Sequence, residues 1–135
     1  MATPALAEEM RIVPGTADQL DSVMKVMDAA FGDEFGEAWT RSQLSGILPM
    51  AGVSLVLSIN RASDRVVGFS LSRTVVDESE LLLIAVLPGA QRRGVGTLLL
   101  DDFLDRARAR GASRVHLEAT PGPTLGHGCG NMQRW

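Results

Sequence analysis

Between Ile84 and Thr97 the chain reads Ile-Ala-Val-Leu-Pro-Gly-Ala-Gln-Arg-Arg-Gly-Val-Gly-Thr, passing from an apolar strand through a tight turn into the start of a helix. The residue types there suit one task, holding an anion. Gly94 and Gly96 have no side chains to block a ligand, so successive backbone N–H groups can converge on a pyrophosphate while the helix N-terminus adds the positive end of its dipole. Arg92 and Arg93 add formal charge. The order Gln91-x-x-Gly94-x-Gly96 lacks both the Gly-Lys-Ser/Thr end of a Walker A loop and the third glycine of a dinucleotide fingerprint. Glycines of this kind can also serve only to let a helix pack closely on a sheet. Their context argues for more: the motif follows the apolar run Leu81–Val86 and opens a segment in which Val95, Leu99, Phe103, Leu100, Leu104 and Ala107 share one helical face.

The elements that must position this cradle are legible from period and punctuation. Met10–Val13 reads as a short strand ended by Pro14-Gly15. Thr16 with Gln19 forms a capping box ahead of Leu20, Val23, Met24, Met27 and Phe31, which recur at helical spacing; the methionines belong to that core stripe. Thr40 with Gln43 repeats the pattern before Leu44, Ile47 and Leu48, and Pro49 ends that shorter helix. From Val53 the period becomes two, with Val53, Leu55, Leu57 and Ile59 on one strand face. Asn60–Asp64 is a polar turn, Arg65–Val76 is extended, Asp77-Glu78-Ser79 is the next turn, and Glu80–Val86 is the strand feeding the cradle. Three strands on short turns imply an antiparallel meander. A helix from about Val95 to Gly111 and a strand over Arg114–Ala119 then require a right-handed parallel crossover. The expected fold is therefore α/β (α+β), with a mixed sheet combining the meander and one strand-helix-strand unit.

Composition narrows the function classes. A chain of 135 residues forms one domain, and 45% hydrophobic with 21% charged residues is ordinary for a soluble globular protein. A net charge of −3 gives no global attraction to nucleic acid or anionic membrane, so phosphate binding must be local. Arg106, Arg108, Arg110 and Arg114 gather where helix-dipole effects favour cations, with no aromatic stacking partners, and read as a solvated face. Cys129 is the only cysteine, which fits a reducing compartment, and His116 and His127 stand alone without metal-ligand spacing. Met1–Glu9 is not a secretory signal and no apolar run reaches membrane-span length, so a cytoplasmic protein is expected.

The cradle after Val86-x-Pro88, within this order of elements, resembles the acetyl-coenzyme A signature of the GNAT N-acetyltransferases over roughly residues 10–121. Within that superfamily, Val75–Val86 with Gln91–Gly96, Trp39 and the Leu117-Glu118 pair are most similar to the branch that acetylates the N-terminal alanine of a ribosomal protein. The resemblance implies transfer of acetyl from acetyl-CoA to a primary amine, here the α-amine of a protein N-terminus, without a metal. It implies that the backbone of Ile84, Ala85 and Val86 binds the pantetheine arm and that Gln91, Arg92, Arg93, Gly94, Val95, Gly96 and Thr97 hold the pyrophosphate. It places the proton acceptor at Glu118, or at Glu80 acting through water as in other branches. An alkylammonium must lose a proton before its nitrogen can attack a thioester, and two carboxylates facing one cleft would attract it. Either glutamate could also be a plain surface charge at a strand end.

After Pro121 the pattern departs from the family. Gly122, Pro123, Gly126, Gly128 and Gly130 oppose the expected fourth helix, so 122–135 reads as a divergent glycine-rich tail and the C-terminal part of the fold as incomplete, lacking closing strands. The family tyrosine that would protonate the departing thiolate has no counterpart, since the chain contains no tyrosine and Met132 falls near its place. A truncated or frame-shifted gene, a genuine short variant, or a dimer partner completing the sheet edge would each account for such a tail. The functions left open are a working N-acetyltransferase on a protein N-terminus, one acting on a small-molecule amine, and a non-catalytic coenzyme A-binding remnant. Because neither nucleotide-loop signature is present, ATP and NAD should displace bound acetyl-CoA far less well than coenzyme A does in a competition assay.

Overall fold

The computed structural model describes residues 9–31, 39–117 and 131–134, with 91–93 and 131–134 described by backbone alone. The elements are β1 (Met10–Pro14), a 3-10 turn (Ala17–Gln19), α1 (Leu20–Phe31), α2 (Arg41–Ile47), β2 (Val53–Asn60), β3 (Val66–Val75), β4 (Glu78–Val86), a second 3-10 turn (Pro88–Arg93), α3 (Val95–Ala109), β5 (Arg114–Leu117) and β6 (Asn131–Arg134). Both capping boxes form. Gln19 Oε1 accepts from the Thr16 N–H at 2.7 Å and Gln43 Oε1 from the Thr40 N–H at 2.8 Å, satisfying donors that a helix start would otherwise leave without a partner.

The sheet has the order β1-β2-β3-β4-β5-β6, antiparallel throughout except for the parallel β4–β5 pair. Strand alternation sends side chains to two cores. On one face Leu55, Leu57, Phe69, Leu71, Leu83 and Ala85 pack against Val23, Val26 and Met27 of α1 and Leu44 of α2. On the other, Val56 and Val86 meet Val95 and Leu99 of α3, while Leu81 and Val115 meet Phe103 and Ala107 one and two turns further along it. The period-two and period-3.6 patterns of the sequence thus correspond to the buried stripes observed. Gly111, at φ +82°, ends α3 in the left-handed conformation that glycine adopts without a Cβ clash.

Two expectations are corrected. The β3–β4 turn is tighter than Asp77-Glu78-Ser79, since Glu78 and Ser79 already pair with Val75 and Thr74. The Thr74 and Ser79 hydroxyls hydrogen-bond at 2.8 Å, and β5 fixes the tip because the Ser113 N–H donates to the Asp77 carbonyl at 2.7 Å. The second correction concerns the tail. Asn131–Arg134 forms β6, antiparallel to β5, with Leu117 opposite Asn131 and Arg114 opposite Arg134. The glycines and prolines that oppose a helix end at Gly130, and nothing in Asn-Met-Gln-Arg opposes a strand. Arg114–Leu117 of β5 is therefore paired from within the chain.

Gly68 lets α3 approach the centre of the sheet. A Cβ on it would lie 3.1 Å from the Ala85 carbonyl oxygen, 3.2 Å from Leu99 Cδ1 and 3.3 Å from Val86 Cγ2. Gly68→Ala should therefore lower stability by about 1–3 kcal/mol through overpacking, read as a reduced urea midpoint.

Candidate functional site

The cradle is built by the passage from β4 into α3. The Leu87 N–H donates to the Val67 carbonyl at 2.8 Å, holding the strand end, and Pro88–Arg93 makes a 3-10 turn anchored by buried Ala90. Gly94, at φ +83°, ends that turn in the left-handed region and serves as the N-cap of α3. The Leu98 N–H donating to the Gly94 carbonyl at 3.0 Å opens the helical ladder. The N–H groups of Val95, Gly96 and Thr97 lie ahead of it and have no acceptor within the helix, so they are oriented out of its N-terminus with the positive end of the dipole. No acidic residue occupies the first turn of α3 to compete for them.

Gly94 and Gly96 are glycines for different reasons. The backbone angle at Gly94 is one that L-residues rarely adopt. Among the described residues, a Cβ on Gly96 would meet only Val86 Cγ2, at 3.9 Å, an ordinary contact. No described residue therefore demands a glycine at 96, which stands in the first turn of α3 beside the outward N–H groups. Gln91, Arg92 and Arg93 are carried by the 3-10 turn immediately before this helix start.

The strand that leads into the cradle carries a feature that an unbroken apolar run does not reveal. Against β3, Leu71 pairs with Leu83 but Ser72 pairs with Leu81, so Leu82 is an extra residue, a β-bulge. The parallel pairing of the described part of β5 covers Glu78–Leu81 against Arg114–Leu117. A bulge bends and twists the strand that carries it, so β4 is re-aimed at Leu82. Ile84 and Ala85 lie beyond the bulge, on the stretch of β4 that leads into the cradle.

On the sheet face shared with α1, but at the β4 N-terminal end, Arg73, Val75, Glu78, Glu80 and His116 line a cleft of about 200 Å³. Glu80 lines it, with its carboxylate 3.2 Å from the Arg73 guanidinium in the cross-strand position. Glu118 lies outside the described residues. The sequence pattern places Glu78 in a turn and gives His116 no partner, yet His116 Nε2 lies 2.9 Å from Glu78 Oε1. The period-two pattern of Glu78 and Glu80, combined with the parallel register that sets Glu80 opposite His116, is the signal that brings them together.

The arginines of α3 are used inside the fold. Arg106 pairs with Asp102 at 2.7 Å, and Arg110 donates to Ser54 Oγ at 3.0 Å and Thr74 Oγ1 at 3.4 Å, pinning the helix end to β2 and β3. Among the described residues, no helix is long and apolar enough to cross a membrane, and no group of three or more His, Cys, Asp or Glu could hold a metal ion.

Comparison with known proteins agrees with this geometry. The sequence model described as the acetyltransferase (GNAT) family matches residues 20–124. A [ribosomal protein bS18]-alanine N-acetyltransferase of Salmonella typhimurium is 42% identical over 57 residues, a stretch covering 42% of this chain and 38% of that protein. The chain thus matches well under half the length of this curated relative. Among solved structures, the ribosomal-protein-S18-alanine N-acetyltransferase of Escherichia coli superposes with a TM-score of 0.70 at 20% identity, covering 79% of this chain and 64% of that one. PaiA N-acetyltransferase of Thermoplasma acidophilum, solved in complex with coenzyme A, superposes with a TM-score of 0.66 at 15% identity, covering 81% and 79%. At those identities the two superpositions establish a shared fold. The loose described contact at Gly96 lets binding be separated from stability. Gly96→Leu should leave thermal unfolding unchanged or raise it, since leucine is the better helix former by about 0.5–1 kcal/mol. The same change should weaken coenzyme A binding by about tenfold or more in calorimetry.

Proposed function

Because the chain belongs to the acetyltransferase (GNAT) family, we propose that it transfers acetyl from acetyl-CoA to a primary amine, the N-terminal α-amine of a protein such as a ribosomal protein. The observation that carries this reading is a bulged β4 strand that passes through a left-handed turn at Gly94 into a helix start with no acidic residue in its first turn. The backbone of Ile84, Ala85 and Val86 takes the pantetheine arm along that strand. The N–H groups of Val95, Gly96 and Thr97 hold the pyrophosphate, with Gln91, Arg92, Arg93 and the left-handed turn at Gly94 completing the cradle. The acyl donor supplies the activated thioester. The chain's residues orient it and handle the acceptor's protons.

The acceptor class follows from chemistry and from relatives. The transfer needs a neutral nitrogen, and an α-amine, with an ordinary pKa of about 7.7–8.0, reaches that form more readily than a lysine side chain. The name of the Salmonella typhimurium relative specifies an alanine of ribosomal protein bS18 as the acceptor for that protein, and it supports a protein α-amine here. Glu118 is the proposed acceptor of a proton from the attacking nitrogen. Glu80 is the weaker candidate because Arg73 already engages its carboxylate.

A second reading, coenzyme A binding without turnover, draws on one observation: the chain has no tyrosine to protonate the departing thiolate. The two readings separate in one assay of thiol release from acetyl-CoA with an alanine-starting peptide. Slow turnover is expected, with Glu118→Gln lowering kcat by ~10²–10⁴-fold at nearly unchanged coenzyme A affinity, the scale for a lost general base, and Glu80→Gln having the smaller effect. Tight coenzyme A binding with no thiol release from any amine would select the second reading.

A further inference from the structure

Acetyl transfer to an ammonium removes two protons from one nitrogen, and the cleft at the base of β4 contains a second group fitted to take one. We propose that His116, oriented by Glu78, accepts the first of them, the proton that the acceptor ammonium must lose before it attacks; the assignment rests on the acetyltransferase reading above. An ionised carboxylate only accepts hydrogen bonds, so Glu78 Oε1, 2.9 Å from His116 Nε2, selects the Nε2–H tautomer. The lone pair of the neutral ring is then on Nδ1, the nitrogen left for a group in the cleft. Imidazole is the side chain suited to taking and returning a proton near neutral pH.

Position and surroundings favour His116 over its neighbours. It stands opposite Glu80 in the parallel register, on the strand pair whose β4 member leads into the cradle. Its side chain is 38% exposed, which gives the proton an exit to solvent. The charged groups facing it are Glu78 and Glu80 on β4 and Arg73 on β3. On the β6 side Met132 is its register partner, with Arg114 and Arg134 paired two positions away. Glu80 is engaged by the Arg73 guanidinium at 3.2 Å, which makes its carboxylate a weaker base, whereas His116 is held by an acceptor through Nε2 and keeps the Nδ1 lone pair open.

The step balances. R–NH₃⁺ gives one proton to Nδ1 of His116, and the freed nitrogen lone pair attacks the acetyl carbonyl of acetyl-CoA. The C–N bond forms and the C–S bond breaks. The second N–H proton, taken at Glu118, ends on the departing thiolate, giving coenzyme A as the thiol. His116 releases its proton to solvent past Glu78, so each turnover yields one amide, one thiol and one proton.

The test uses the full chain, acetyl-CoA and an alanine-starting peptide, with kcat/KM for the peptide measured from pH 6.5 to 9.5. His116→Gln should lower kcat/KM by about tenfold or more at pH 6.5, where the α-amine is mostly charged, with the deficit shrinking to about twofold at pH 9.5, where the amine arrives neutral. Acetyl-CoA affinity should not change. Glu78→Gln should shift the profile in the same direction by less. It should also disturb the Nε2–H tautomer of His116, which long-range proton–nitrogen NMR can read in a chain with two histidines. Activity equal to wild type at pH 6.5, a deficit that stays constant with pH, or an Nδ1–H tautomer in the wild-type protein would each overturn the assignment alone. Failure of the wild-type protein to bind acetyl-CoA, or to acetylate any amine, would overturn the acetyltransferase reading and this inference with it.

Discussion

The candidate site depends on how β4 is held and aimed. β3 pairs with β4 along its whole length, from Glu78 to Val86, with one interruption at Leu82. One extra residue re-aims the strand without breaking its ladder to β3, because a bulge leaves the flanking pairs intact while bending its own strand. Beyond it the chain runs through Ile84 and Ala85 to the turn that begins at Pro88 and the start of α3.

The two faces of the sheet divide the work of support. On one, α3 is pulled close by Gly68 and fixed by Val95, Leu99, Phe103 and Ala107 recurring every fourth residue, so its N-terminus is set by packing well before any ligand arrives. On the other, α1 and α2 cover the sheet where Leu55, Leu57, Phe69, Leu71 and Leu83 lie, and leave Arg73, Val75, Glu78 and His116 exposed or half-buried towards the β3–β4 turn. A polar cleft can exist there because no apolar helix stripe needs that surface.

The charge pairs in the cleft contribute little to stability. Arg73–Glu80 and His116–Glu78 are partly solvated, and exposed ion pairs are typically worth about 0–1 kcal/mol. Their effect is on orientation. Each leaves a defined acceptor or donor on a rigid strand pair, which is more reproducible than a loop can offer, and the Arg73 guanidinium offsets the charge of Glu80.

The sequence by itself determined the helix starts, the meander, the strand-turn-helix passage at Val86–Val95 and the parallel crossover. Thr16/Gln19 and Thr40/Gln43 name their helix starts, the change of period at Val53 names the meander, and a strand, turn and helix of this length admit one handedness of return. These are local signals, carried by the residues that form the element. The tertiary structure decided what depends on register and on distant partners. A bulge at Leu82 is invisible in an unbroken apolar run, because the extra residue exists only relative to β3. His116 looked solitary because Glu78, 38 positions away, becomes its neighbour only when β4 and β5 align in parallel. Asn131–Arg134 became a strand for the same reason: a short polar segment has weak propensity of its own, and the waiting edge of β5 supplies the hydrogen bonds that make it one.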